Sequence, residues 1–167
     1  MCSSDLVKEY GHLLRDDPTY AHKAQRVSEL TRDISEVLDA HEPEIAALSD
    51  AGQPPQRVAF HAPCSLQHGQ RVRGVAERLL GAAGCEVTGV PDSHLCCGSA
   101  GTYSILQPEL ARRLRDSKVA ALESGRPEVI ATGNIGCLTH LQSGSTRPVR
   151  HWIEVIDQRL ATRPSPD

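Results

Sequence analysis

Residues 57–90 read RVAFHAPCSLQHGQRVRGVAERLLGAAGCEVTGV, and this stretch decides the fold class. Residues 57–61 are a short apolar run of strand type. Val72, Val75, Ala76, Leu79, Leu80 and Ala83 then recur at helical spacing, and Gly84 ends the stripe. Residues 85–90 form a second strand closed by Pro91. Working outward, residues 99–106 predict a short helix, and Pro108 suits the first position of another. That helix turns Leu110, Ala111, Leu114 and Ala121 inward and has Gly125 after it. Residues 128–132 are a third strand, 134–142 a helix, 148–150 a short fourth strand and 152–160 the last helix. Four alternations of strand and helix predict a parallel sheet of about four strands with helices on its faces. Right-handed crossovers narrow this to a Rossmann-like, doubly wound α/β unit over residues 57–160.

Residues 1–52 differ in texture. Helices are expected over about 6–14 and 20–41. In the second, Ala24, Val27, Leu30, Ile34, Val37 and Leu38 share one face. Such a face cannot bury itself, so it is expected to dock on the α/β unit or on an upstream repeat. Ala51-Gly52-Gln53-Pro54-Pro55 is the clearest linker, and residues 161–167 read as a tail.

Composition excludes several classes. Eighteen Lys and Arg against 21 Asp and Glu leave a net charge of −3, which argues against a basic nucleic-acid surface. Aromatics are 3% of the chain, too few for base-stacking platforms. No run of 18 apolar residues suggests a transmembrane helix. No basic and apolar leader opens the sequence, so a cytoplasmic setting is expected, where metal or redox chemistry outranks disulfides for the six cysteines.

In α/β sheets of this kind, chemistry collects beyond the carboxyl ends of the strands. Cys64 follows the first strand, Cys96 and Cys97 follow the second, and Cys137 follows the third. The quartet therefore converges on one edge from three loops. Each loop carries glycine: Gly69, Gly98 with Gly101, and Gly133 with Gly136. Glycine lets backbone approach a bulky ligand. Cys137, near a helix N-terminus, should have its thiolate favoured there. Four thiolates suit zinc or an iron–sulfur cluster, and soft ligands alone do not choose between them. The adjacent pair Cys96-Cys97 favours a multi-iron cluster, since neighbouring side chains diverge. Cys85 reads as strand packing. His61, His94, His140 and His151 lie near the same edge, and His140, three residues after Cys137, is the best of them as an added ligand.

These residues carry a resemblance. The spacing Cys64–31 residues–Cys96-Cys97-Gly98, then 39 residues to Cys137, resembles the cysteine-rich CCG domain of heterodisulfide reductases and related redox proteins. The strings LCCGSAGTY (95–103), LQPELA (106–111), ATGNIGC (131–137) and VKEYGHLL (7–14) more closely resemble the iron–sulfur subunit of glycolate oxidase, in its C-terminal portion. In that family two ferredoxin-type clusters precede two CCG repeats. Here no C-x-x-C-x-x-C run occurs. Residues 1–50 resemble the end of an upstream repeat plus connecting helices, with Cys2 near that repeat's last cysteine. Residues 57–160 resemble the second repeat. The general pattern ends in C-x-x-C, whereas His140 stands in the last place.

The resemblance implies an electron-transfer subunit of glycolate oxidase or glycolate dehydrogenase type, not catalytic alone. Cys64, Cys96, Cys97 and Cys137 would hold a cluster of 4Fe-4S type, with His140 as an additional candidate. A flavin-containing partner subunit, carrying the FAD, would oxidise glycolate to glyoxylate, and electrons would leave to a quinone or other acceptor. No G-x-G-x-x-G follows the first strand, so this chain should not hold the flavin itself. Peripheral association with the cytoplasmic face of the inner membrane fits that role. Two rivals stay open: a zinc-stabilised interaction module without redox role, and a thiol enzyme with Cys97 as nucleophile and His94 or His140 as base.

Overall fold

The computed structural model describes residues 3–49 and 52–160. Five short helices come first: α1 (Ser3–Lys8), α2 (Tyr10–Leu13), α3 (Ala21–Leu30), α4 (Ile34–Asp39) and α5 (Glu42–Leu48). Then follow β1 (Gln56–His61), a π-helical turn (Ser65–Gly69), α6 (Val75–Ala82) and β2 (Cys85–Thr88). The chain continues through α7 (Tyr103–Leu106), α8 (Pro108–Glu123), β3 (Val129–Thr132), α9 (Ile135–Gln142), β4 (Val149–His151) and α10 (Trp152–Leu160). All strand pairs are parallel, in the order β2-β1-β3-β4. The expected Rossmann-like α/β unit is the one found.

Period-2 alternation sorts the strand residues between two cores. Val58 and Phe60 of β1 and Val129 and Ala131 of β3 join Leu79, Leu80, Trp152, Val155 and Ile156 beneath α6 and α10. Ala59 and Ile130 point the other way, towards Val119, Leu122 and Leu141 of α8 and α9. Cys97 and Cys137 belong to this second core. After β1 the chain steps to β2 on one side, then returns to place β3 on the other. A topological switch point thus lies between the carboxyl ends of β1 and β3, where such folds open a crevice.

Several expectations are corrected. The helix expected over 20–41 is broken after Leu30. The Asp33 side chain accepts from the Ser35 N–H at 3.0 Å, and the Glu36 carboxylate accepts from the Asp33 N–H at 2.7 Å. This capping box starts a new helix and breaks the register of the apolar stripe. Leu38 packs against the first core, joined by Ile45, whereas Val27, Leu30, Ile34 and Val37 stay 42–60% exposed. The helix expected over 6–14 is likewise split into α1 and α2. Val72 falls outside α6, because Gly74 before it takes φ 74°. The helix expected over 99–106 shrinks to α7, since Gly98 and Gly101 adopt φ 89° and 57°. On α8 the buried residues are Ala111, Lys118, Val119 and Leu122, while Leu110 and Leu114 face outward. Cys2, Ala51 and the tail over 161–167 lie outside the described residues.

Candidate metal centre

Three loops build the site at the carboxyl edge of the sheet. Cys64 precedes the π-helical turn after β1 as its N-cap. Such turns recur at functional sites because they displace one residue from the helical ladder. Cys96 and Cys97 lie between β2 and α7, and Cys137 lies in the first turn of α9. All four line one cavity of about 670 Å³, together with Ser65, Ser99, Asn134 and Gly136.

The loops hold one another. Asn134, the N-cap of α9, accepts from the Gly136 N–H at 2.9 Å, and its amide lies 3.4 Å from the Ser65 hydroxyl. A Cβ on Gly136 would stand 2.8 Å from Ser99 Oγ, so the Cys137 turn presses on the Cys96-Cys97 loop. The Thr132 hydroxyl donates to the His61 carbonyl at 3.0 Å, which ties the ends of β3 and β1. Behind the pair, the buried Lys118 ammonium donates to the carbonyls of Asp92 (2.7 Å) and Ser93 (3.4 Å), anchoring the chain that leads into Cys96.

The sulfurs interact strongly. The Cys64 and Cys97 thiols hydrogen-bond to Cys96 and hold it in the thiolate form, with its pKa lowered to about 2. The Gly98 N–H adds a contact to the Cys96 sulfur at 3.3 Å. The Cys97 thiol likewise lowers Cys137 to about 5, and the nearby His61 ring helps. Cys64 is pushed well above the usual thiol range, first by Cys96 and then by burial. Cys97 is pushed up by Cys137, then by Cys96 and by burial. At Cys137 the leading cause is the neighbouring Cys97 thiol, not the helix N-terminus that the sequence pointed to.

The histidines separate. His140 Nε2 lies 3.2 Å from the Ala111 carbonyl oxygen. His94 is exposed and lines a second cavity, of about 250 Å³, with His68 and Arg73. The His151 ring accepts from the Ile153 N–H at 3.3 Å. His61, by contrast, is 1% exposed, and one ring nitrogen and the sulfurs of Cys97 and Cys137 lie within 4.8 Å of one another. The sequence held a signal for this: alternation along β1 puts His61, its last residue, on the face of Ala59. Cys85 opens β2 at the far end of the sheet, packed in the first core, where burial raises its thiol pKa. Cys97 is 1% exposed, and a buried thiol with a raised pKa does not suit a nucleophile.

A family model for the cysteine-rich domain named CCG matches residues 58–142. The chain belongs to this family. It is also similar to the glycolate oxidase iron-sulfur subunit of Escherichia coli (strain K12), 53% identical over 155 residues, which are 93% of this chain and 37% of that protein. Lactate utilization protein A of Bacillus velezensis is 30% identical over 164 residues, 92% of this chain and 66% of that protein. The probable glycolate oxidase iron-sulfur subunit of Bacillus subtilis (strain 168) is 33% identical over 146 residues, 85% of this chain and 32% of that protein. The chain thus spans about a third of the glycolate oxidase subunits and about two thirds of the lactate utilization protein. Among the described residues, no helix is long and apolar enough to cross a membrane.

Proposed function

We propose that Cys64, Cys96, Cys97 and Cys137 hold an iron–sulfur cluster of 4Fe-4S type, and that this chain acts as the C-terminal electron-relay portion of a glycolate oxidase-type complex. One observation carries this reading: four cysteines from three separate loops line one cavity. The donor set fits the group, because soft sulfur suits clustered iron and the cavity leaves room among the four. A cluster bound there supplies one-electron transfer. The chain's own residues set the conditions for it. Gly98 aims an amide at the Cys96 sulfur, Lys118 brings a buried positive charge behind the pair, and the second core keeps water from Cys97 and Cys137. The four-residue set leaves Cys85 outside, and His140 stays an added ligand candidate.

The names of the relatives extend the reading to a partner. A flavin-containing subunit oxidises glycolate or a similar 2-hydroxy acid, and electrons pass through this chain to a quinone or other acceptor at the cytoplasmic face of the membrane. Visible and EPR spectroscopy of anaerobically purified protein, with iron and acid-labile sulfide counts, tests the core of it. Iron with matching sulfide supports the relay.

A second reading rests on its own observation. His61, Cys97 and Cys137 form a mixed nitrogen and sulfur donor set, which suits a structural zinc. Stoichiometric zinc without sulfide would favour that interaction module.

A further inference from the structure

His61 is a buried ring that faces the sulfurs of the site. It is the last residue of β1, it is 1% exposed, and neither ring nitrogen has a nitrogen or oxygen hydrogen-bond partner. Buried polar groups are nearly always paired, because leaving one unpaired costs its lost hydration. Its backbone is engaged, through the carbonyl that accepts from Thr132. The ring faces two sulfurs from two other elements, Cys97 and Cys137, all within 4.8 Å. Both sulfurs carry negative charge once they bind metal, and an imidazole N–H is a ready donor to such a sulfur.

We infer that His61 is a positioning residue that donates its ring N–H to the metal-bound sulfur of Cys137 and thereby raises the reduction potential of the centre. The inference rests on the proposed metal centre. Its physics is simple: reduction adds negative charge to the sulfurs, and a fixed N–H dipole stabilises the more negative state. The ring is well placed to do this without rearrangement, since β1 is the inner strand between β2 and β3. His61 reaches Cys97 and Cys137 from β1 and is not one of the four cysteines, so its loss should leave the four sulfur ligands in place.

The test uses His61→Leu and His61→Gln in the full chain, loaded anaerobically with iron and sulfide and, separately, with cobalt(II). In the iron-loaded protein, His61→Leu should keep iron and sulfide content and the wild-type EPR pattern while its midpoint potential falls. His61→Gln, which retains an N–H donor, should restore part of the shift. In the cobalt-loaded protein, the thiolate-to-cobalt charge-transfer band should move to longer wavelength in His61→Leu. Equal potentials and equal bands in wild type and His61→Leu overturn the inference while leaving the proposed centre intact. Loss of iron in His61→Leu, with nitrogen hyperfine coupling in the wild type, makes His61 a ligand and also overturns it. A wild type that takes up cobalt but no cluster overturns the iron–sulfur reading, and the band position then decides the role of His61. A wild type that binds neither overturns both.

Discussion

A methyl group on Gly98 would stand 2.6 Å from the carbonyl oxygen of Ala111. The glycine next to the cysteine pair therefore lies hard against α8, with φ 89°, where a side chain is strained as well as crowded. Leu114 Cβ would be only 3.0 Å away. Gly98→Ala should cost about 1–3 kcal/mol, from strain and from the shift of backbone against backbone. It should also reduce metal uptake, since the same residue's N–H contacts the Cys96 sulfur. Chemical denaturation and metal content read the two effects. A variant with both unchanged would show that the loop is not held by this contact.

Proton release should accompany metal binding. The pKa values of Cys96 and Cys137 are held low, at about 2 and about 5, whereas those of Cys64 and Cys97 are pushed well above the usual thiol range. Binding by all four sulfurs must therefore displace the protons that Cys64 and Cys97 hold, and the apparent affinity should rise with pH near neutrality. Cobalt(II) titrations between about pH 6 and 8 check this. Affinity independent of pH would mean that not all four sulfurs bind.

The N-terminal helices offer an acid-sensitive joint. Burial alone would raise the Asp33 pKa, but the side chain and N–H of Ser35, with Ser4 and Gln70, hold it below its ordinary 3.8. A carboxylate with a depressed folded pKa contributes stability that is present above its unfolded pKa and lost as pH falls through the folded one. Asp33→Asn should thus cost about 0.5–2 kcal/mol at neutral pH, and the gap to wild type should close as pH falls below 3.8. Urea titrations at several pH values measure it. A gap that widens on acidification would contradict the sign.

The apolar positions of the same segment should differ in weight. Ile45 is 6% exposed within the first core, so Ile45→Ala should cost about 2–5 kcal/mol. Leu30 is 60% exposed, and Leu30→Ala should stay within about 0.5 kcal/mol of wild type. Similar losses at both positions would show that Leu30 is covered in solution.

Strand, helix and glycine periodicity made the α/β unit legible, because its strands are short, bounded by turn residues and, in β1 and β3, largely apolar. The ends of the strands then placed the four cysteines on one edge with no further information. What the sequence did not show were effects of register and contact. A capping box at Asp33 and Glu36 outweighs a continuous apolar stripe, since it satisfies orphan amides locally. Lys118 is not singled out by the apolar spacing of its helix, and only the fold shows the 92–93 carbonyls receiving its ammonium. Among the histidines, sequence distance favoured His140 beside Cys137, whereas strand alternation, a weaker cue at a strand's last residue, is what turns His61 towards the sulfurs.

In the proposed centre Cys64, Cys96, Cys97 and Cys137 hold one iron–sulfur cluster and Cys85 does not. Iron and acid-labile sulfide content, measured side by side on anaerobically prepared wild type, each of the four Cys→Ser variants and Cys85→Ser, tests it most directly. Wild type and Cys85→Ser should carry the same iron and sulfide, while replacing any of the quartet should remove or convert the cluster, because a hydroxyl is a harder and poorer ligand for its iron. A Cys85→Ser protein without iron, beside Cys96→Ser and Cys97→Ser proteins that stay fully loaded, would contradict the account.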